Sequence, residues 1–167
     1  MGGSAGANLA AVVCLAARDQ GGPAIGHQAL IYPVTDAAET SPSYVANAAK
    51  PVLTPGDMVA IRRRYLGPDG DARDPRAAPL LAEDHSGLPP ALIQWPSTIR
   101  CTRTAPATPT LLNAGVAVRL TGYDGMPHGY LSMPWFCRSA PRALAEVVAE
   151  QRTVLHPPLT GGPVISR

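Results

Sequence analysis

The chain of 167 residues has almost no lysine, few aromatics, few cysteines and little charge of either sign. Lysine and arginine together number 14, and Lys50 is the single lysine, which leaves 14 − 1 = 13 arginines. A net charge of +2 makes no field able to gather a polyanion, so nucleic acid is not an expected partner. The one basic run, Arg62-Arg63-Arg64, falls in an expected helix and reads as a solvated face. Charged residues make up 16% against 46% hydrophobic, which excludes a charge-rich disordered chain and fits a globular core. Cys14, Cys101 and Cys137 are odd in number, widely spaced and without a CxxC. That argues against a disulfide framework or a zinc site, and for reduced thiols in a cytoplasmic protein. No apolar run approaches the ~20 residues of a membrane span, and Met1 leads into glycines rather than a signal sequence.

What is present alternates between helical and strand-like pattern. SAGANLAAVVCLAARDQGG carries Leu9, Val12, Val13 and Ala16 at helical spacing, and Gly21-Gly22 supply a stop. His27–Val34 reads as a buried parallel strand. After a loop, Thr54 is placed to cap a helix through Tyr65, with Pro55 at its first position and Asp57 at its third. Ala91–Gln94 and Val116–Thr121 are the second and third strands. Ser139 then opens a closing helix expected to turn Leu144, Val147 and Val148 inward. Strands separated by crossovers predict an α/β parallel sheet with flanking helices. Residues 1–155 are expected to form the domain and 156–167 a tail.

Two motifs carry chemistry. Gly2-Gly3-Ser4-Ala5-Gly6 fits G-x-S-x-G directly before a long apolar helix. In a nucleophile elbow the serine sits on a strained turn, Gly2 and Gly6 let the backbone pass, and the Ala5 amide is one oxyanion donor. Alone, the pattern also fits a flexible glycine-rich start before an ordinary helix. The second motif, Tyr123-Asp124-Gly125-Met126-Pro127-His128-Gly129-Tyr130, puts His128 on a loop after the third strand, at the end of a sheet where α/β sites are built. A histidine there can serve as general base for a serine. His27, His85 and His156 read as solvated, and Asp124 as shaping the turn with Gly125.

GGSAGANLAA, LIYPVTD, SPSY, DPRAAPLLAEDHSGLPPALI and YDGMPHGYLSM, in this order, resemble the C-terminal part of a bacterial hormone-sensitive-lipase-like esterase of the α/β-hydrolase fold. The resemblance implies hydrolysis of small carboxylic esters, with Ser4 as nucleophile, His128 as base and no metal or organic cofactor. It also implies that strands and the main oxyanion loop lie upstream of the nucleophile. A chain without them is expected to be an inactive fragment with the His27–Val34 edge bare. The alternative is a non-catalytic pseudoenzyme or interaction fragment. The family usually has Asp before its serine, where Gly3 stands here.

One stretch departs from the family. WPSTIRCTRTAPATP, residues 95–109, has neither an apolar period nor a carboxylate. The family's triad Asp falls on Ile99, which cannot orient an imidazole. Permitted codons for Trp95 to Leu111, read one register over, spell AEYDPLHEDGTRYADA, which resembles the family's acid loop. We therefore read it as translated between two compensating frame changes; the other reading is a genuine, divergent crossover.

Overall fold

The computed structural model describes residues 1–35, 55–96 and 107–156. Three short apolar runs become the centre of a parallel sheet: β2 (Gln28–Ile31), β3 (Ala91–Pro96) and β4 (Val118–Tyr123). Every residue of β2 is buried, and β3 is buried at all but Trp95, as expected of parallel strands covered on both faces. Leu30 lies opposite Ile93, and Ile93 opposite Leu120. A two-residue strand, β1 (Gly2–Gly3), adds in parallel to Leu30–Ile31, giving a four-stranded sheet in the order β1-β2-β3-β4. This corrects the expectation of three strands and, in part, that of a bare β2 edge: Gly2 and Gly3 pair with Leu30 and Ile31, while Gln28 and Ala29 have no partner in β1.

Helices cover both faces. α1 (Ala5–Asp19) and α3 (Ala107–Asn113) pack on one side, where Ala7 and Leu111 meet Leu30, Ala91 and Ile93. α4 (Ala140–Leu155) packs on the other, where Ala140, Ala143 and Val147 join Ala29, Ile31, Leu92 and Tyr123. α2 (Pro55–Leu66) is an outer helix whose Arg63 and Arg64 are solvated, as expected; its Thr54 cap lies outside the described residues. The tail from residue 157 does so too.

Element ends follow from local chemistry. α1 stops where Gly21 (φ 63) turns left-handed; Gly22 N–H then donates to Ala17 O (2.7 Å) and Gly21 N–H to Arg18 O (3.4 Å). α3 closes the same way at Gly115 (φ 78), with Val116 N–H donating to Leu111 O (3.0 Å). Val116 is thus committed to the helix cap, so the strand expected from Val116 begins two residues later. The expected strand through Val34 ends at Ile31 because Tyr32, at φ 38, breaks the pleat. Ser139 occupies the N-cap of α4, but its side chain makes no capping hydrogen bond.

The large apolar residues expected to face inward do not all do so. In α1, Leu9 (47%) and Val13 (56%) are exposed while Ala7, Asn8, Cys14 and Leu15 are buried; in α4, Leu144 and Val148 are exposed. His27 and His85 are also corrected. The His27 side chain is 3% exposed and lies 3.5 Å from Glu150, and its Nδ1 is 3.2 Å from Gln151 Nε2. Burial lowers the His27 pKa more than Glu150 raises it. His85 Nε2 lies 2.9 Å from the Pro79 carbonyl.

Candidate active site

Ser4 occupies the single residue between β1 and α1, at φ 54 and ψ −120. A non-glycine residue in that region is strained by about 1–3 kcal/mol and is held there only by surrounding structure. Here Ser4 N–H donates to Ile31 O (2.9 Å), while Ser4 O accepts from Ala7 N (3.1 Å) and Asn8 N (3.2 Å). Gly2 is required by close approach: a Cβ there would overlap the Gly6 carbonyl and come within 2.7 Å of Ala7 N. A Cβ on Gly6 would meet nothing within 4 Å, so the expected crowding exists on one side of the serine only. Asn8, buried at the start of α1, donates through Nδ2 to Val34 O (2.6 Å) and Ala77 O (2.8 Å) and pins the elbow to two neighbouring loops.

His128 arrives from the other end of the chain. β4 ends at Tyr123; Asp124 and Gly125 (φ 76) make the turn expected of them, and the loop carries His128 back over the C-terminal ends of the strands. Its Nε2 lies 2.8 Å from Ser4 Oγ, across a separation of 124 residues. With the proton on Nδ1, the imidazole accepts the serine hydroxyl's hydrogen bond, which is the arrangement that lets a base withdraw that proton. The Ala5 N–H begins α1 and, like the first amides of any helix, has no acceptor within the helix. The helix dipole favours negative charge at the same point.

Beneath His128 lies a layer that the sequence reading did not single out. The Tyr32 ring is 4.9 Å from the His128 ring and meets Tyr130 edge-on at 5.1 Å; its hydroxyl shares a hydrogen bond with Ser132. Burial raises the Tyr32 pKa, and the Ser132 bond partly offsets that. Tyr130, fully buried, donates to Gln94 Oε1 (3.2 Å). Gln94 Nε2 in turn donates to Ala143 O (3.0 Å) and Glu146 Oε2 (2.7 Å). Thr121 Oγ1 (2.6 Å) and the Tyr123 hydroxyl (2.7 Å) donate to the same carboxylate, and Arg119 pairs with it at 3.2 Å. Burial, reinforced by Glu146, pushes the Tyr123 pKa up to about 12. A signal was available: Gln94 is the one polar residue inside an otherwise apolar strand, and a buried amide implies partners.

The expected acid position, Ile99, lies outside the described residues, as do residues 97–106 of the divergent stretch. Its ends are described: Trp95 and Pro96 continue β3 opposite Gly122 and Tyr123, and Ala107 opens α3. Among the described residues, no cluster of three or more His, Cys, Asp or Glu could hold a metal ion, and no helix is long and apolar enough to cross a membrane.

A serine on a strained strand–helix turn, facing a histidine from a loop after the last strand, is the α/β-hydrolase arrangement. The family model for the alpha/beta hydrolase fold matches residues 1–132. The chain belongs to that family, and to its hormone-sensitive-lipase-like members. It is 40% identical over 139 residues to the carboxylic ester hydrolase LipN of Mycobacterium tuberculosis, covering 79% of this chain and 37% of the relative. It is 34% identical over 160 residues to the carboxylesterase NlhH of the same organism, covering 93% and 50%. A hormone-sensitive lipase from a metagenome library superposes with a TM-score of 0.84 at 25% identity, covering 92% of this chain and 53% of that one. The chain therefore spans about half the length of these relatives, or less.

Proposed function

We propose that this α/β-hydrolase chain carries the nucleophile and base of a carboxylic ester hydrolase acting on small-molecule esters. The single observation behind this reading is the 2.8 Å approach of His128 Nε2 to Ser4 Oγ at a strained elbow. Ser4 Oγ attacks the ester carbonyl while His128 takes its proton, and the Ala5 amide holds part of the oxyanion. The tetrahedral adduct expels the alcohol, protonated by His128, and leaves an acyl-Ser4 ester. Water, deprotonated by His128, attacks that ester; the carboxylic acid leaves and the proton returns to Ser4. The esterase names of LipN and NlhH support the reaction class.

The chain by itself is proposed to turn over poorly. Loss of an orienting carboxylate costs on the order of 10⁴-fold in a serine protease triad, and Ile99 at the expected acid position supplies none. The purified chain is expected to react with a fluorophosphonate at Ser4, slowly, while hydrolysing p-nitrophenyl butyrate no faster than Ser4→Ala. Labelling that persists in Ser4→Ala, or is absent from the wild type, overturns the nucleophile assignment. Ser4-dependent turnover of the ester overturns the proposed inactivity. A non-catalytic interaction role is the second reading, favoured by the outward-facing Leu9 and Val13 of α1. Cys14 and Cys137, both free and buried, support a cytoplasmic setting.

A further inference from the structure

We propose that Tyr32 is the positioning residue for His128 and that the glycine at position 3 makes room for it. The inference rests on the Ser4–His128 reading and adds what holds the imidazole in line. Three observations converge on it. First, Ser4 (φ 54) and Tyr32 (φ 38) are the non-glycine residues with positive φ among those described, and they are neighbours through the Ser4 N–H···Ile31 O bond. Strain of this kind persists where the surroundings require one particular side-chain direction. Here the direction is fixed by Tyr32 N–H donating to Gln94 O (2.6 Å), which anchors the bent backbone to β3.

Second, the ring is held at three points. It lies 4.9 Å from the His128 ring at 59° between planes, and 5.1 Å from Tyr130 at 73°; its hydroxyl bonds Ser132, in the turn that follows His128. One side chain therefore touches the base itself and two later residues of its loop. Third, the space belongs to the pair: a Cβ on Gly3 would come within 3.1 Å of Tyr32 Cε2 and Oη. A methyl at position 3 of this chain stands a few tenths of an ångström too close to the ring, so the ring must shift slightly to admit it.

The mechanism is orientational. An imidazole that accepts from Ser4 must keep its ring plane and its Nδ1–H tautomer, and an aromatic wall restrains the first while the Ser4 bond selects the second. Without the wall, the imidazole loses one restraint on its ring plane and its alignment with Ser4 loosens. A misplacement of about 1 Å is enough to cost roughly 100-fold in rate.

The test compares wild type, Tyr32→Leu, Tyr32→Phe and Gly3→Ala by two readouts. Nitrogen NMR of His128 reports the tautomer, and the rate of Ser4 labelling by a fluorophosphonate reports alignment. Tyr32→Leu is expected to shift the imidazole from the Nδ1–H form towards a mixture and to slow labelling about 10- to 100-fold. Tyr32→Phe, which keeps the wall, should hold the tautomer and most of the labelling rate. Gly3→Ala, which removes no contact, should move the His128 signals in the same direction as Tyr32→Leu and decides the matter if the leucine variant does not fold. Unchanged tautomer and labelling in Tyr32→Leu, or unchanged His128 signals in a folded Gly3→Ala, overturn the proposal. If the wild type is not labelled but its tautomer responds to Tyr32, the hydrolase reading fails while the positioning role stands.

Discussion

Glu146 offers the sharpest test of what holds the sheet under the site. Its side chain is only 13% exposed and accepts from Gln94, Thr121 and Tyr123, with Arg119 at 3.2 Å. Glu146→Ala removes the acceptor from Tyr123, which is 5% exposed, and one of two acceptors from the Gln94 amide, which is fully buried. An orphaned buried donor costs about 1–3 kcal/mol. Arg119 is 60% exposed, so its pairing adds little after solvent screening. The expected loss is therefore about 2–4 kcal/mol. At about 2–4 °C per kcal/mol for a chain of this size, that is roughly 5–15 °C in Tm. Urea unfolding followed by circular dichroism measures it.

The pH dependence gives a second, signed check. Burial raises the Glu146 pKa, but the hydrogen bonds from Thr121, Tyr123 and Gln94, with Arg119, outweigh it and hold the carboxyl below its ordinary 4.5. A depressed carboxyl stabilises the fold above its unfolded pKa and loses that contribution as pH falls through the folded value. Wild type should therefore exceed Glu146→Gln in stability near pH 7, and the gap should close progressively below pH 4.5. A Glu146→Ala variant within about 0.5 kcal/mol of wild type, the size of an ordinary surface change, refutes the network's importance. A gap to Glu146→Gln that is flat across acid pH refutes the electrostatic account.

Two further expectations concern the elbow and the divergent stretch. Gly2→Ala forces its new methyl into the Gly6 backbone and should abolish Ser4 labelling or folding, whereas Gly6→Ala, with open space around its Cβ, should leave labelling within about threefold, below the 1.4 kcal/mol that makes a decade. Equal damage by both variants contradicts the one-sided crowding. Sequencing the DNA across residues 95–109 should reveal a shifted frame encoding an E-x-D-P-L string; codons that offer none in either shifted frame leave a genuine crossover as the explanation.

The placement of Ser4 and His128 was legible because it is local or positional. Gly2-Gly3-Ser4-Ala5-Gly6 announces an elbow through the glycine that close approach demands, and a histidine after the last strand lands at the sheet's C-terminal end by topology alone. Tyr32, Gln94 and Glu146 were not, because their roles arise from contacts between segments far apart in sequence. Gln94 and Glu146 are separated by 52 residues and meet only when α4 lies across β3. Tyr32 sits in a run that reads as strand; nothing in LIYPV marks the residue at which φ turns positive.

The misjudged helix faces have a physical cause. Apolar spacing shows that a residue favours leaving water, and bulky side chains dominate that pattern, so Leu144 and Val148 were set on the inward face while Leu9 and Val13 marked α1 as a helix. The faces that press on the sheet are led instead by small residues: Ala7 at 0% exposure in α1, and Ala140 at 2% and Ala143 at 0% in α4. Ala7, Ala140 and Ala143 meet a sheet already filled by Leu30, Ile31, Leu92 and Ile93, and the bulkier Leu15 and Val147 are buried along the same helices. Packing density, not hydrophobicity, decides which stripe turns in. The same density explains why Gln94 Nε2 can reach Ala143 O at 3.0 Å: an alanine there lets the α4 backbone come near enough to accept. The bulky stripe of α1 then faces outward beside β1, and Leu9 and Val13, together with Met1 and Ile25, line an apolar groove there.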